Sequence, residues 1–222
     1  QYNYPRSITL ASRNIFSDDT TSISSTIIDG SDSSTVVSIH RIEENYINVV
    51  HGFTIQNGIG GTHSTNSSMG GGINVIKSQA HIKNCIIINN QGEYGGGIFF
   101  NMYGGNSSSV LENSIIHSNQ AFNAGGGLCV ANAAAGGNST QIINSLFHNN
   151  IAINGGAMRI WGTTSQTKLK NLTVSNNQVE YGASGVEILS GSEPPEILNC
   201  NIWGNIGGEA QLITPAGLGT MV

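Results

Sequence analysis

Asn144-Ser145-Leu146-Phe147-His148-Asn149-Asn150 is followed by Ile151-Ala152-Ile153-Asn154-Gly155-Gly156-Ala157-Met158. The stretch holds a short alternating strand between asparagines, then a glycine pair that opens another strand. It recurs along the chain. The aligned starts Gly52, Asn84, Asn113, Asn144, Asn171 and Asn199 lie 32, 29, 31, 27 and 28 residues apart. Glycine clusters follow most copies, at Gly70-Gly71-Gly72, Gly95-Gly96-Gly97, Gly125-Gly126-Gly127 and Gly155-Gly156, with a degenerate copy from Gly182 to Val186. Short strands at a period near 29, without helical spacing, predict a solenoid of β-coils. The fold expected is all-β, a right-handed single-stranded parallel β-helix of about six to seven coils. At ~4.8 Å per coil its regular part is roughly 30 Å long.

Strand alternation sorts the side chains. Inward positions after the first asparagine are Phe53 and Ile55, Cys85 and Ile87, Ser114 and Ile116, Ser145 and Phe147, Leu172 and Val174, Cys200 and Ile202. In the strand after the glycines they are Ile73 and Val75, Ile98 and Phe100, Leu128 and Val130, Met158 and Ile160, Val186 and Ile188. A third strand contributes Ile82, Leu111, Ile142, Leu169 and Ile197. One coil cannot bury these side chains alone, whereas stacked coils bury a continuous column. Two asparagine columns, Asn84/Asn113/Asn144/Asn171/Asn199 and Asn90/Asn119/Asn150/Asn177/Asn205, mark two corners. Asparagine tolerates the left-handed backbone of a sharp bend, and stacked amides can bond along the axis. The glycines serve a third corner, where φ > 0 or close backbone approach excludes a Cβ.

Composition agrees. Glycine and asparagine, 30 and 27 of 222 residues, make up about a quarter of the chain, and only 9% is charged. That excludes a coiled coil or helical bundle, and glycine has no collagen-like period of three. With 38% apolar residues and a net charge of −5, charge-driven disorder is not expected. Eight Lys and Arg scattered over the chain argue against a nucleic-acid partner. No apolar run reaches the ~20 residues of a membrane-spanning helix. The chain opens at Gln1 without Met or leader pattern and reads as a mature or excised segment. The expected organisation is an N-terminal segment over 1–25, forming an early coil or the remnant of a cap, a β-helix over 26–213, and a tail over 214–222. Cys85, Cys129 and Cys200 are too few for a disulfide framework and are expected as free thiols, with Cys85 and Cys200 in the core.

These repeats resemble right-handed parallel β-helices of the pectin-lyase-like superfamily. They are similar, more narrowly, to the polymorphic outer membrane protein repeat, F-x-x-N-x-A-x-x-G-G-A-I. Phe147, Asn150, Ala152, Gly155, Gly156, Ala157 and Met158 carry that pattern, with weaker copies from Ile87 to Ile98 and, with one extra residue, from Ile116 to Leu128. Thr26 to Gly30 followed by Gly52 to Gly58 is similar to the opening coils of large secreted bacterial β-helix proteins. The resemblance covers about residues 26 to 213 and implies a secreted or cell-surface bacterial location. It does not imply one activity, because such folds host lyases, hydrolases and adhesins alike.

Enzymes of that superfamily need clustered carboxylates. The chain has four aspartates, Asp18, Asp19, Asp29 and Asp32, all before the regular coils, and Asp29-Gly30 reads as a turn. The outward positions of the post-glycine strand form the columns Asn74/Phe99/Cys129/Arg159/Glu187 and Ile76/Asn101/Ala131/Trp161/Leu189. Arg159 and Glu187 are expected as a cross-strand ion pair. The sharper reading is a sugar-binding surface on which Phe99 and Trp161 stack while Arg159 and Glu187 bond hydroxyls. Lys83 and Glu112 are expected to pair on another face. His117 and His148 share one outward position in consecutive coils, without a third metal ligand at Ile88, Ser175 or Trp203, so no metal and no cofactor are implied. Cys129 is expected outward, with nothing to activate it.

The expected function is therefore a non-catalytic β-helix module of a secreted or cell-surface bacterial protein, a rigid stalk or adhesin-like surface for a polysaccharide or protein ligand. The alternative is a carbohydrate-active enzyme, a polysaccharide lyase or glycoside hydrolase. An uncapped coil end would expose strand edges, which makes end-to-end self-association a third expectation.

Overall fold

The computed structural model describes residues 7–16, 20–40, 46–61, 69–103, 107–132, 138–164 and 166–214. Asp18, Asp19, the middles of two variable loops and all but the first residue of the expected tail lie outside them. The described residues form a parallel β-solenoid of about six turns. Three sheets have seven strands each and a short sheet has four.

Each turn runs through the sheets in a fixed order. Sheet 1 holds strands such as Gln79–Lys83, Ser108–Glu112 and Ser139–Ile143. Sheet 2 follows the first asparagine, with Ile86–Ile88, Ile115–His117 and Leu146–His148. The short sheet comprises Gln91–Tyr94, Gln120–Ala124, Ile151–Asn154 and Gln178–Tyr181. Sheet 3 follows the glycines, with Ile73–Ile76, Ile98–Asn101, Leu128–Ala131, Met158–Trp161 and Ala183–Ile188. Near the start, Thr9–Ala11 pairs with Val49–His51, so part of the 1–25 segment builds an early coil.

The inward columns are those read from alternation. Ile55, Ile87, Ile116, Phe147 and Val174 are fully buried, as are Ile73, Ile98, Leu128, Met158 and Val186 of sheet 3 and Ile82, Leu111 and Ile142 of sheet 1. All belong to one continuous core, against which Ile197, Cys200 and Ile202 pack partly buried. The three cysteines are free thiols. The extra residue between Ile116 and Leu128 is absorbed as a bulge: the ladder shifts between Ala121 and Ala124 on both sides, leaving Phe122 half exposed.

The two asparagine corners prove physically different. At the first, Asn84, Asn113, Asn144, Asn171 and Asn199 hold φ between 49° and 53°. Their side chains form an outer ladder: Asn144 donates to Asn113 (3.2 Å), Asn171 to Asn144 (2.8 Å) and Asn199 to Asn171 (3.2 Å). At the second corner the left-handed residue is the one before the column: Asn89, Ser118, Asn149, Asn176 and Gly204. This corrects the reading that both columns supply the bends. Asn90, Asn119, Asn150, Asn177 and Asn205 instead turn inward and are buried. Each Nδ2 donates to the Oδ1 of the next, at 3.0, 3.0, 2.9 and 2.8 Å, and the series ends on Gln211 Oε1 at 2.8 Å. The same oxygens accept the preceding asparagine's backbone N–H at 2.9 to 3.1 Å. The second Nδ2 hydrogen goes to a carbonyl one coil back, such as Ile116 O for Asn150 (2.9 Å).

The glycine corner obeys a steric rule. Gly95, Gly125 and Gly155 have φ of 63°, 68° and 60°. Their followers Gly96, Gly126 and Gly156 lie so close to the neighbouring coil that an added Cβ would fall 2.4 Å from a backbone oxygen. Asp29-Gly30 is the expected turn: Asp29 Oδ1 accepts the Ser31 N–H at 2.7 Å.

The two asparagine columns should therefore respond differently to mutation. Asn150→Ala strips the acceptor from two buried Asn119 donors and is expected to cost about 3 kcal/mol or more. Asn144→Gly keeps the left-handed bend and should cost well under half of that, while Asn144→Ala should cost about 1–2 kcal/mol. Urea unfolding followed by circular dichroism measures all three; equal losses at both corners would contradict this division.

Candidate functional site

The outward side chains of sheet 3 stand in the expected register. Asn74, Phe99, Cys129, Arg159 and Glu187 align across five strands, and Ile76, Asn101, Ala131 and Trp161 align beside them. Outward is nevertheless not exposed. Phe99 is 3% accessible, Cys129 and Asn74 are fully buried and Glu187 is 5% accessible. Met69, Tyr94 and Trp161 pack over Phe99, Cys129 and Ala131 as a second, smaller apolar cluster outside the coil. Phe99 is thus a floor rather than a free stacking platform.

The reason lies in side-chain size along the stack. The middle coil offers only Cys129 and Ala131 between the large Phe99 on one side and Arg159 and Trp161 on the other. The gap left open is a groove of about 270 Å³, lined by Met69, Tyr94, Phe99, Asn101, Tyr103, Ala131 and Trp161. Tyr94 stacks on Phe99 with ring centroids 5.8 Å apart and meets Trp161 edge-to-face at 5.5 Å. Asn123 Nδ2 donates to the Tyr94 hydroxyl at 2.8 Å and fixes it. Burial raises the Tyr94 phenol above its ordinary range, and Glu93 adds to the shift.

Arg159 and Glu187 form the expected pair, Nε to Oε2 at 3.1 Å. The guanidinium also lies over the Trp161 ring, 4.8 Å from its centroid, a cation–π contact that orients the indole. Burial pushes the Glu187 carboxyl up, and the field of Glu209 adds to this, while Arg159 opposes it. Gly182 makes room for this carboxylate, because a Cβ there would meet Glu187 Oε1 at 2.4 Å. The structure therefore brings Phe99, Trp161, Arg159 and Glu187 together, but only Trp161 among them presents a ring to the groove opening. Tyr94 and Tyr103 complete it and were missed by sequence reasoning. The signal for Tyr94 was its place directly before Gly95, whose left-handed backbone folds it over Phe99.

Cys129 is fully buried, and burial raises its thiol well above the usual range despite Arg159. It has neither the exposure nor the acidity of a nucleophile. On sheet 1 the register sets Lys83 beside Glu112. Glu112 Oε1 lies instead 3.0 Å from His81 Nε2, which corrects the expected Lys83–Glu112 pair. On sheet 2, His117 and His148 stack with centroids 4.7 Å apart and planes 5° from parallel. Their register neighbours are Ile88 and Ser175. Among the described residues no group of three or more His, Cys, Asp or Glu could hold a metal ion. None of their helices is long and apolar enough to cross a membrane.

The class that this architecture defines is the parallel β-solenoid with an aromatic groove on one face. No protein-family model matches the chain, nor does any curated protein or solved structure.

The histidines set a pH dependence. Desolvation lowers both His117 and His148 below the ordinary 6.5, His117 further through His148, and His51 is lowered chiefly by burial. A base whose folded pKa is depressed binds fewer protons folded than unfolded. Its contribution is complete above the unfolded value and is lost as pH falls through the folded one. The melting temperature should therefore fall as pH drops below about 6.5, and His148→Ser should flatten that fall. An unchanged profile in the variant would show that the stacked pair does not couple to folding.

Proposed function

We propose that the chain is a non-catalytic β-helix module of a secreted or cell-surface bacterial protein. It acts as a rigid stalk whose post-glycine face carries a sugar-binding groove. The observation that carries this reading is the aromatic slot itself. Tyr94, Tyr103 and Trp161 line an open groove beside Asn101, and two of the three rings are held in place by Asn123 and Arg159. Aromatic rings with a few polar groups suit the apolar C–H face and hydroxyl rim of a pyranose. The surface location rests on the resemblance to the pectin-lyase-like superfamily and the polymorphic outer membrane protein repeat. A parallel ladder of buried amides supports the stalk role, since it ties the coils from Asn90 to Asn205 to one another.

The enzymatic alternative, a polysaccharide lyase or hydrolase, draws on one feature. Glu187 is held above the ordinary carboxylate range by burial, the condition under which a carboxyl serves as an acid. Its partner, however, is Arg159 at 3.1 Å, whereas hydrolysis by the common route needs a second carboxylate across the scissile bond.

Affinity electrophoresis through gels containing polysaccharides tests the proposal. The chain should be retarded by at least one polymer, and Trp161→Ala should restore most of its mobility while keeping the wild-type circular dichroism. New reducing ends, or the absorbance of unsaturated products, appearing on incubation with those polymers would overturn the non-catalytic reading.

A further inference from the structure

The charge around the groove narrows the kind of sugar it takes, a deduction that rests on the glycan reading above. Among the described residues, those lining the groove include no lysine or arginine. The segments 62–68, 104–106 and 133–137, which join it in sequence, contain none either. Among the described residues the cation that touches a groove ring is Arg159, which is paired with Glu187 at 3.1 Å, lies over the Trp161 ring 4.8 Å from its centroid, and is not among the lining residues. A ligand carboxylate would lose its hydration there and find no lysine or arginine among the described lining residues, and a nearby guanidinium already paired with Glu187. Burying a charge without a partner is costly, whereas a ring bearing only hydroxyls meets no such penalty.

We infer that the groove is selective for neutral pyranose chains over uronate chains, and that Glu187 sets this selectivity by neutralising Arg159. Glu187 acts through Arg159 and is a specificity-determining residue without touching the sugar. The aromatic rings supply stacking that any pyranose would accept. The ion pair supplies the discrimination.

Isothermal titration with a panel of neutral hexasaccharides (β-linked glucose, xylose, mannose and galactose) and of hexauronates (galacturonate, mannuronate and guluronate) tests this. At least one neutral member should bind, about tenfold or more tighter than any uronate. In Glu187→Gln, which keeps the shape and frees the guanidinium, the ratio of uronate to neutral affinity should rise about tenfold, and the gain should fade with added salt. Uronates that bind the wild-type chain as tightly as neutral sugars would overturn the neutral preference and leave the glycan groove standing. An unchanged ratio in a folded Glu187→Gln would overturn the role of Glu187. If Glu187→Gln does not fold, the wild-type panel still decides the preference. Binding of no member would instead sink the glycan reading on which the inference rests.

Discussion

Each buried amide from Asn90 to Asn205 satisfies a whole set of partners at once. From Asn119 to Asn205 the oxygen accepts two hydrogens from the preceding coil, at Asn90 it accepts the Gly58 N–H, and the nitrogen donates forward and back. A primary amide offers two donor hydrogens and two acceptor lone pairs, and the corner of a stacked coil presents the matching groups. Removed from water, an amide with any of these unmade would destabilise the corner. Five asparagines in succession point the same way, so their dipoles align and polarise one another. The remaining features follow from this constraint. The coil must return to the same point at every turn, so among the described residues variation in length is taken up by loops and by local register shifts, at Phe122 and Asn123 and between Ala183 and Val186. The ladder closes on Gln211, whose oxygen takes the place of a further asparagine and whose nitrogen returns to the Asn205 carbonyl at 2.9 Å.

The glycine corner is the steric counterpart. Backbones of consecutive coils approach there more closely than a Cβ allows. The two devices divide the labour: amides hold coils together by bonding and glycines let them approach by omission. Together they commit most of the chain's small and polar residues to architecture. Chemistry is left to the outward side chains of the sheets.

On those faces, contrast in size decides what forms. Where consecutive outward residues are similar they simply stack, as His117 and His148 do. Where a small pair, Cys129 and Ala131, sits between Phe99 and Trp161, the stack opens and Tyr94 folds in. Sequence reading named Phe99, Cys129, Ala131 and Trp161 by register and placed them in the right columns. It took outward to mean exposed, which failed because Tyr94, Met69 and Trp161 lie back across the sheet. It also paired Lys83 with Glu112 by strand register alone, although His81, two residues from Lys83 on the same strand, reaches that carboxylate first.

The sequence by itself determined the class of fold, the inward columns and the positions of the corners. These depend on a repeat near 29 residues and on alternation along each strand, both local properties that every coil repeats. It did not determine which residue of each second corner bends the chain and which turns inward, because Asn89 and Asn90 are chemically identical and only the return path of the coil distinguishes them. Nor did it show the groove. That arises from side chains two coils apart, Tyr94 and Trp161, meeting over a gap left by small neighbours in the coil between them. Such a contact is set by packing across the stack and leaves no mark in the pattern of any single coil.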